Sequence, residues 1–141
     1  MRTSSALDRL QAVPLFAGCT KKELQALDSA CTEVQYPTGR VLCKEGEPGR
    51  ELMIIIDGKA RVEREDQHVA TLGPGEFVGE LSLLDHGPRT ATVTAETDVS
   101  LLVLTPSELA TVLNQVQPLA LRMLAALAGR LRAADAAAYH H

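Results

Sequence analysis

The sequence predicts a mainly β domain, a sandwich or jelly roll, with helices flanking it at both ends. Three observations carry this expectation. Between Thr32 and Leu104 the apolar residues fall in short, strand-length runs separated by Gly- and Pro-containing turns. Leu52 to Ile56 is an unbroken apolar run rich in isoleucine, the pattern of a buried strand. Two capping boxes, Thr20 to Glu23 and Thr105 to Glu108, stand on either side of the β region, and each opens a helical stretch.

Taken in order, Ser5-Ala6-Leu7-Asp8 starts a short helix that carries Leu7, Leu10 and Val13 on one side and stops at Pro14. The first capping box opens a helix over about 21–30, with Leu24, Leu27 and Ala30 as its inward stripe. Strands are expected over 32–36 and 40–44, around the turn Pro37-Thr38-Gly39. Glu45-Gly46-Glu47-Pro48-Gly49 is a loop. After the Leu52–Ile56 run, Asp57-Gly58 suits a type I′ hairpin turn. Ala60, Val62 and Val69 continue the β pattern across a further turn at Glu65-Asp66-Gln67. Leu72-Gly73-Pro74-Gly75 breaks the chain, and two last β-runs span 91–95 and 99–104.

Pro106 stands at the first position of the helix that the second capping box opens. Pro118 opens a final helix running to about Ala134 or beyond. Leu119, Leu121, Met123, Leu124 and Leu127 do not keep to one stripe of it, so the helix has apolar residues on more than one side. The organisation is thus an N-terminal helical segment at 1–31, a β region at 32–105, C-terminal helices at 106–137, and a tail at 138–141. His140-His141 reads as a tag remnant.

The bulk properties narrow the function. At 141 residues the chain is one domain, large enough for a single core. It is 45% hydrophobic and 23% charged, with net charge −4 and no basic run. Direct DNA binding would need clustered Lys and Arg. No apolar run has the length of a membrane span, and the N-terminus lacks the apolar core of a secretory signal. Cys19, Cys31 and Cys43 are an odd set without a CxxC, which suits small core residues in a reducing, cytoplasmic setting. His68 and His86 stand far apart and form no metal-binding pair. No nucleophile–base arrangement or catalytic carboxylate pair emerges. The expected function is binding and switching rather than an enzyme's chemistry.

The stretch Phe77 to Thr92 carries the binding chemistry. Gly79 and Glu80 precede a short apolar run, Leu81 to Leu84, which Gly87-Pro88 closes before Arg89 and Thr90. One helical turn there leaves its first N–H groups free for an anion, with the dipole of matching sign. Arg89 can fork onto two oxygens of that anion. Glu80 repels an anion but can accept from a hydroxyl on the same ligand. Phosphate for Arg89 and hydroxyl for Glu80 describe a ribose phosphate. The other reading of the same residues is a bulge at Gly79 and a Glu80–Arg89 ion pair in a loop.

Gly79-Glu80-Leu81-Ser82-Leu83 followed by Pro88-Arg89-Thr90-Ala91 resembles the phosphate-binding cassette of the cyclic nucleotide-binding domain family, of catabolite activator protein and protein kinase A regulatory subunit type. Gly39, Glu45-Gly46, Gly58 and Gly75 fall where that family places its turns. The resemblance covers about residues 10–135, with the cassette at 77–92. It implies a double-stranded β-helix, or jelly-roll barrel, with N-terminal helices, a short cassette helix and a long C-terminal helix.

The resemblance also assigns roles. Arg89 pairs with a cyclic phosphodiester, Glu80 accepts from the ribose 2′-hydroxyl, and Gly79 with the backbone near Leu81 and Ser82 completes the anion nest. Thr90 bears on the base without deciding it: cyclic AMP is preferred and cyclic GMP stays open. A lid over the base would come from the last helix, at Leu127, Arg130 or Leu131. That helix carries the signal to an effector or to a second copy in a homodimer. No helix-turn-helix follows it, so the expectation is a stand-alone sensor or one excised from a longer protein. The competing expectations are a structural domain on the same fold that binds no nucleotide, and a sensor of another small ligand such as haem.

Overall fold

The computed structural model describes residues 4–79 and 89–139. Helix α1 (Ser4–Gln11), a 3-10 turn (Pro14–Phe16) and α2 (Lys21–Ala30) precede eight strands among the described residues. These are β1 (Thr32–Tyr36), β2 (Val41–Cys43), β3 (Leu52–Asp57), β4 (Ala60–Arg64), β5 (Gln67–Leu72), β6 (Phe77–Val78), β7 (Thr92–Ala95) and β8 (Val99–Leu104). Helices α3 (Pro106–Gln115) and α4 (Gln117–Tyr139) follow. The strands form two four-stranded antiparallel sheets, ordered β1-β8-β3-β6 and β2-β7-β4-β5. Apart from the β4–β5 hairpin, consecutive strands fall in opposite sheets. This is the jelly-roll arrangement.

Two apolar cores explain the unbroken run in β3. Leu52, Ile54 and Ile56 point into a layer shared with Leu10, Phe16, Leu24, Leu27, Val112 and Leu119 of the helices and the 3-10 turn. Met53 and Ile55, between them in sequence, point the other way, onto Ala60, Val93, Ala95, Val99 and Leu101 between the sheets. Strand side chains alternate faces, so a strand buried on both must be apolar throughout. Strand β8 follows the same pattern apart from the buried Ser100, with Leu102 and Leu104 in the helical layer and Val99 and Leu101 between the sheets.

Local signals hold at both helix starts. Thr20 Oγ1 accepts from the Glu23 N–H at 3.1 Å while Glu23 Oε1 accepts from the Thr20 N–H at 2.8 Å. Thr105 and Glu108 make the same reciprocal pair at 3.2 and 2.8 Å, with Pro106 opening α3. Cys19 and Cys31 are buried in the helical layer and Cys43 is half-buried, and none of the three is in a disulfide.

One turn differs from expectation. Asp57-Gly58 is not a hairpin, because β3 and β4 lie in different sheets and the segment is a corner between them. A Cβ on Gly58, at φ 89°, would meet the Asp98 carbonyl, so the glycine answers to a close approach as well as to its backbone. The type I′ geometry sits instead at Glu65 and Asp66, with φ of 54° and 63°, between the paired Arg64 and Gln67.

Helix α4 is two-sided. Leu119 and Met123 are buried, and Leu127 packs partly against the same helical layer. Leu121 and Leu124 are 71% and 62% exposed. Among the described residues no helix is long and apolar enough to cross a membrane.

Candidate functional site: a buried arginine between two glycines

Arg89 lies just ahead of β7 and is 8% exposed, one of three buried polar or charged residues among those described. Backbone contacts hold its main chain against the loop between β2 and β3. The Arg89 N–H donates to the Glu47 carbonyl at 2.9 Å, and the Gly46 N–H donates to the Arg89 carbonyl at 2.9 Å. The residues after it are tied down too. Arg64 Nε donates to the Thr90 carbonyl at 3.1 Å, and the Glu45 N–H donates to Thr92 Oγ1 at 3.0 Å. Glu45 Oε1 in turn accepts from the Glu65 N–H at 3.0 Å, which ties the tip of the β4–β5 hairpin to the same loop.

The side chain is placed as tightly as the backbone. Arg89 Nη1 donates to the Glu51 carbonyl at 3.0 Å. Gly79, at φ 96°, lies so close that a Cβ there would meet Nη1 and the Glu51 carbonyl. A Cβ on Gly49 would stand 2.5 Å from Nε, 2.8 Å from Nη2 and 2.9 Å from Cζ. The guanidinium therefore occupies a slot walled by two glycines, with a carbonyl fixing one nitrogen. Among the described residues no carboxylate forms an ion pair with it; an ion pair found there is the exposed Arg61–Glu63. A buried cation is costly unless an anion or several hydrogen bonds compensate it. A guanidinium held this way offers a fork to an oxyanion.

Of the residues expected at the site, the structure brings Gly79 and Arg89 into contact range and puts Thr90 beside them with its side chain exposed. Glu80, Leu81 and Ser82, the cassette helix and His86 lie outside the described residues. Leu127, expected among the lid candidates, packs partly against the helical layer. His68 is exposed and shares a hydrogen bond with Thr71 Oγ1 at 3.1 Å. Among the described residues no group of three His, Cys, Asp or Glu could hold a metal ion. Sequence reading missed the contribution of the β2–β3 loop, where Gly49 and the Glu51 carbonyl shape the slot. The available signal was a second glycine, three residues after Gly46, in a loop that had no other assigned task.

Comparison with known proteins follows from this geometry. The cyclic nucleotide-binding domain model matches residues 33–116. The chain is 34% identical over 131 residues to the cyclic AMP receptor protein of Thermus thermophilus, covering 89% of this chain and 61% of that one. It is 41% identical over 93 residues to a cyclic nucleotide-gated potassium channel of Rhizobium etli, covering 66% of this chain and 26% of the channel. It therefore spans about three-fifths of the first relative and a quarter of the second. The crystal structure of the Thermus thermophilus catabolite activator protein superposes with TM-score 0.77 at 35% identity, over 86% of this chain and 60% of that one. The sheet order, the slot around Arg89 and these matches agree: the chain belongs to the cyclic nucleotide-binding domain family.

Proposed function

We propose that this domain binds a cyclic nucleotide, cyclic AMP first and cyclic GMP second, and acts as a regulatory sensor rather than an enzyme. The observation that carries the reading is Arg89, a buried guanidinium aimed by two glycines and a carbonyl in a domain of this family. A cyclic phosphodiester bears one negative charge, so one arginine and a nest of backbone N–H groups suffice. Arg89 holds that charge. Gly79 lets the backbone come close, and the N–H groups near Leu81 and Ser82 complete the nest. Glu80 accepts from the ribose 2′-hydroxyl, and Thr90 faces the base. The preference for cyclic AMP is supported by the Thermus relative, a cyclic AMP receptor protein.

The signal leaves through α4, whose exposed Leu121 and Leu124 suit an effector or a second copy. The net charge of −4 does not favour direct contact with DNA. Three cysteines outside any disulfide, two of them buried, fit the cytoplasm.

Calorimetry and thermal shift with cyclic AMP, cyclic GMP and 5′-AMP test the reading. A cyclic nucleotide should bind and raise the melting temperature, and 5′-AMP should do so far more weakly. Silence toward both cyclic nucleotides at roughly millimolar concentration, the weak end of specific binding, would replace the sensor with a structural domain on the same fold.

A further inference from the structure

The described glycines differ in what accounts for them. Gly39 and Gly46 have φ of 91° and 84° and face open space, so their backbone angles explain them. Gly49 is different. Its φ lies outside the left-handed region, so an L-residue could adopt its backbone. Gly73 and Gly129 share that ordinary backbone, and a Cβ on either would meet nothing within 4 Å. At Gly49 a Cβ would stand 2.5–2.9 Å from three atoms of the Arg89 guanidinium. The glycine at 49 is thus explained by Arg89.

We propose that Gly49 is a positioning residue for the anion site: the bare backbone there sets the direction of the Arg89 fork, together with the Glu51 carbonyl. The proposal deepens the cyclic nucleotide reading and rests on it for its affinity arm. Gly49 itself contributes no polar side chain. It acts through Arg89, because any side chain at 49 must push the guanidinium out of its slot. Arg89 is fixed at the backbone by Gly46 and Glu47 of the same loop, so it cannot retreat as a unit. The displacement has to be taken up in the side chain, which loses its bond to the Glu51 carbonyl, its alignment with the oxyanion, or both. The β2–β3 loop thereby acts on anion affinity through Arg89.

The experiment is a double-mutant cycle between Gly49→Ala and Arg89→Ala, read in two ways. The first reading is cyclic AMP affinity by calorimetry. Gly49→Ala should weaken binding roughly ten- to hundredfold, the worth of one charge-assisted hydrogen bond. In the Arg89→Ala background it should weaken binding no further. The second reading needs no ligand: the Arg89 Nε–Hε resonance of the free, ¹⁵N-labelled protein, identified by its loss in Arg89→Ala, should shift in Gly49→Ala. An unmoved resonance would overturn the proposal, and so would an equal loss of affinity in both backgrounds. If the wild-type protein binds no cyclic nucleotide, the functional reading fails and the resonance alone decides on Gly49. A melting curve of Gly49→Ala close to wild type shows that a lost affinity is not a lost fold.

Discussion

Arg122 Nη1, on α4, donates to the Leu15 carbonyl in the 3-10 turn at 3.3 Å, joining positions 107 residues apart in the chain. The guanidinium reaches Leu15 across Gly18, where a Cβ would stand 2.8 Å from Nη2. On its other side the same turn meets Gly75, whose Cβ would stand 3.2 Å from Pro14 Cδ and 3.3 Å from the Leu15 nitrogen. The turn is therefore held between the last helix and the segment that leads into β6 and Gly79. Arg122→Ala should lower stability by about 1 kcal/mol, since the bond is only part-buried and net hydrogen-bond contributions are of that size. Its amides at 119–124 should exchange faster. Thermal melting with hydrogen exchange checks this, and unchanged exchange along α4 would show that apolar packing alone holds the helix.

At the site, Arg89→Ala should lose cyclic AMP affinity by roughly tenfold to a hundredfold, from one charge-assisted bond of about 1.5–3 kcal/mol. The fold should survive, because the backbone bonds at Arg89 do not involve its side chain. Glu80→Gln should weaken cyclic AMP more than its 2′-deoxy analogue. Calorimetry on the two variants reads both effects. Equal losses for the two ligands would separate Glu80 from the ribose hydroxyl.

A second stability prediction concerns pH. Asp98 Oδ1 accepts from the Thr38 N–H at 2.9 Å and from the Thr38 hydroxyl at 3.1 Å. The backbone bond first, then the hydroxyl bond, holds the carboxyl below the ordinary carboxylate range. A carboxylate depressed in the folded state adds stability that is fully present above its unfolded pKa, about 3.9. That contribution fades as pH falls through the lower folded value. The gap in melting temperature between wild type and Asp98→Asn should hold steady above about pH 5 and shrink toward pH 3. A gap that stays constant across this range would mean that the bonds do not distinguish the charged from the neutral carboxyl.

Helix α4 yields the functional prediction. Cyclic AMP should slow hydrogen exchange in residues 119–134 together with the cassette at 79–90, as expected if ligand selects a state in which the helix is better packed. Protection limited to the cassette would leave binding intact and remove the helix from signalling. Protection that follows protein concentration, with or without ligand, would assign Leu121 and Leu124 to a seam between two copies.

Much of the architecture was legible in the sequence because it rests on local chemistry. The capping boxes name their own partners three residues away, and the all-apolar run Leu52 to Ile56 announces a buried strand. The turns were less legible. Asp57-Gly58 has the composition of a hairpin turn, yet which sheet each neighbouring strand joins is a long-range matter. Glu65 and Asp66 adopt the left-handed geometry with no glycine to mark it. Arg89 could be singled out as the cation of an anion site, but its wall could not. Gly49 sits 40 residues earlier in a loop of ordinary turn composition, and the reason for its missing side chain appears only when the guanidinium is set beside it.

Strands β3 and β8 form a partition with a filled compartment on each side. A displacement of either strand would disturb both compartments at once and cost the packing of both. On the cyclic nucleotide reading, a ligand-linked movement is therefore expected around the partition rather than through it. Two residues stand at the partition's margins. One is Glu51, the residue before β3, whose carbonyl holds Arg89. Another is Thr105, the residue after β8, from which α3 and then α4 depart. On that reading the two margins, and not the partition, are where ligand-linked movement is expected.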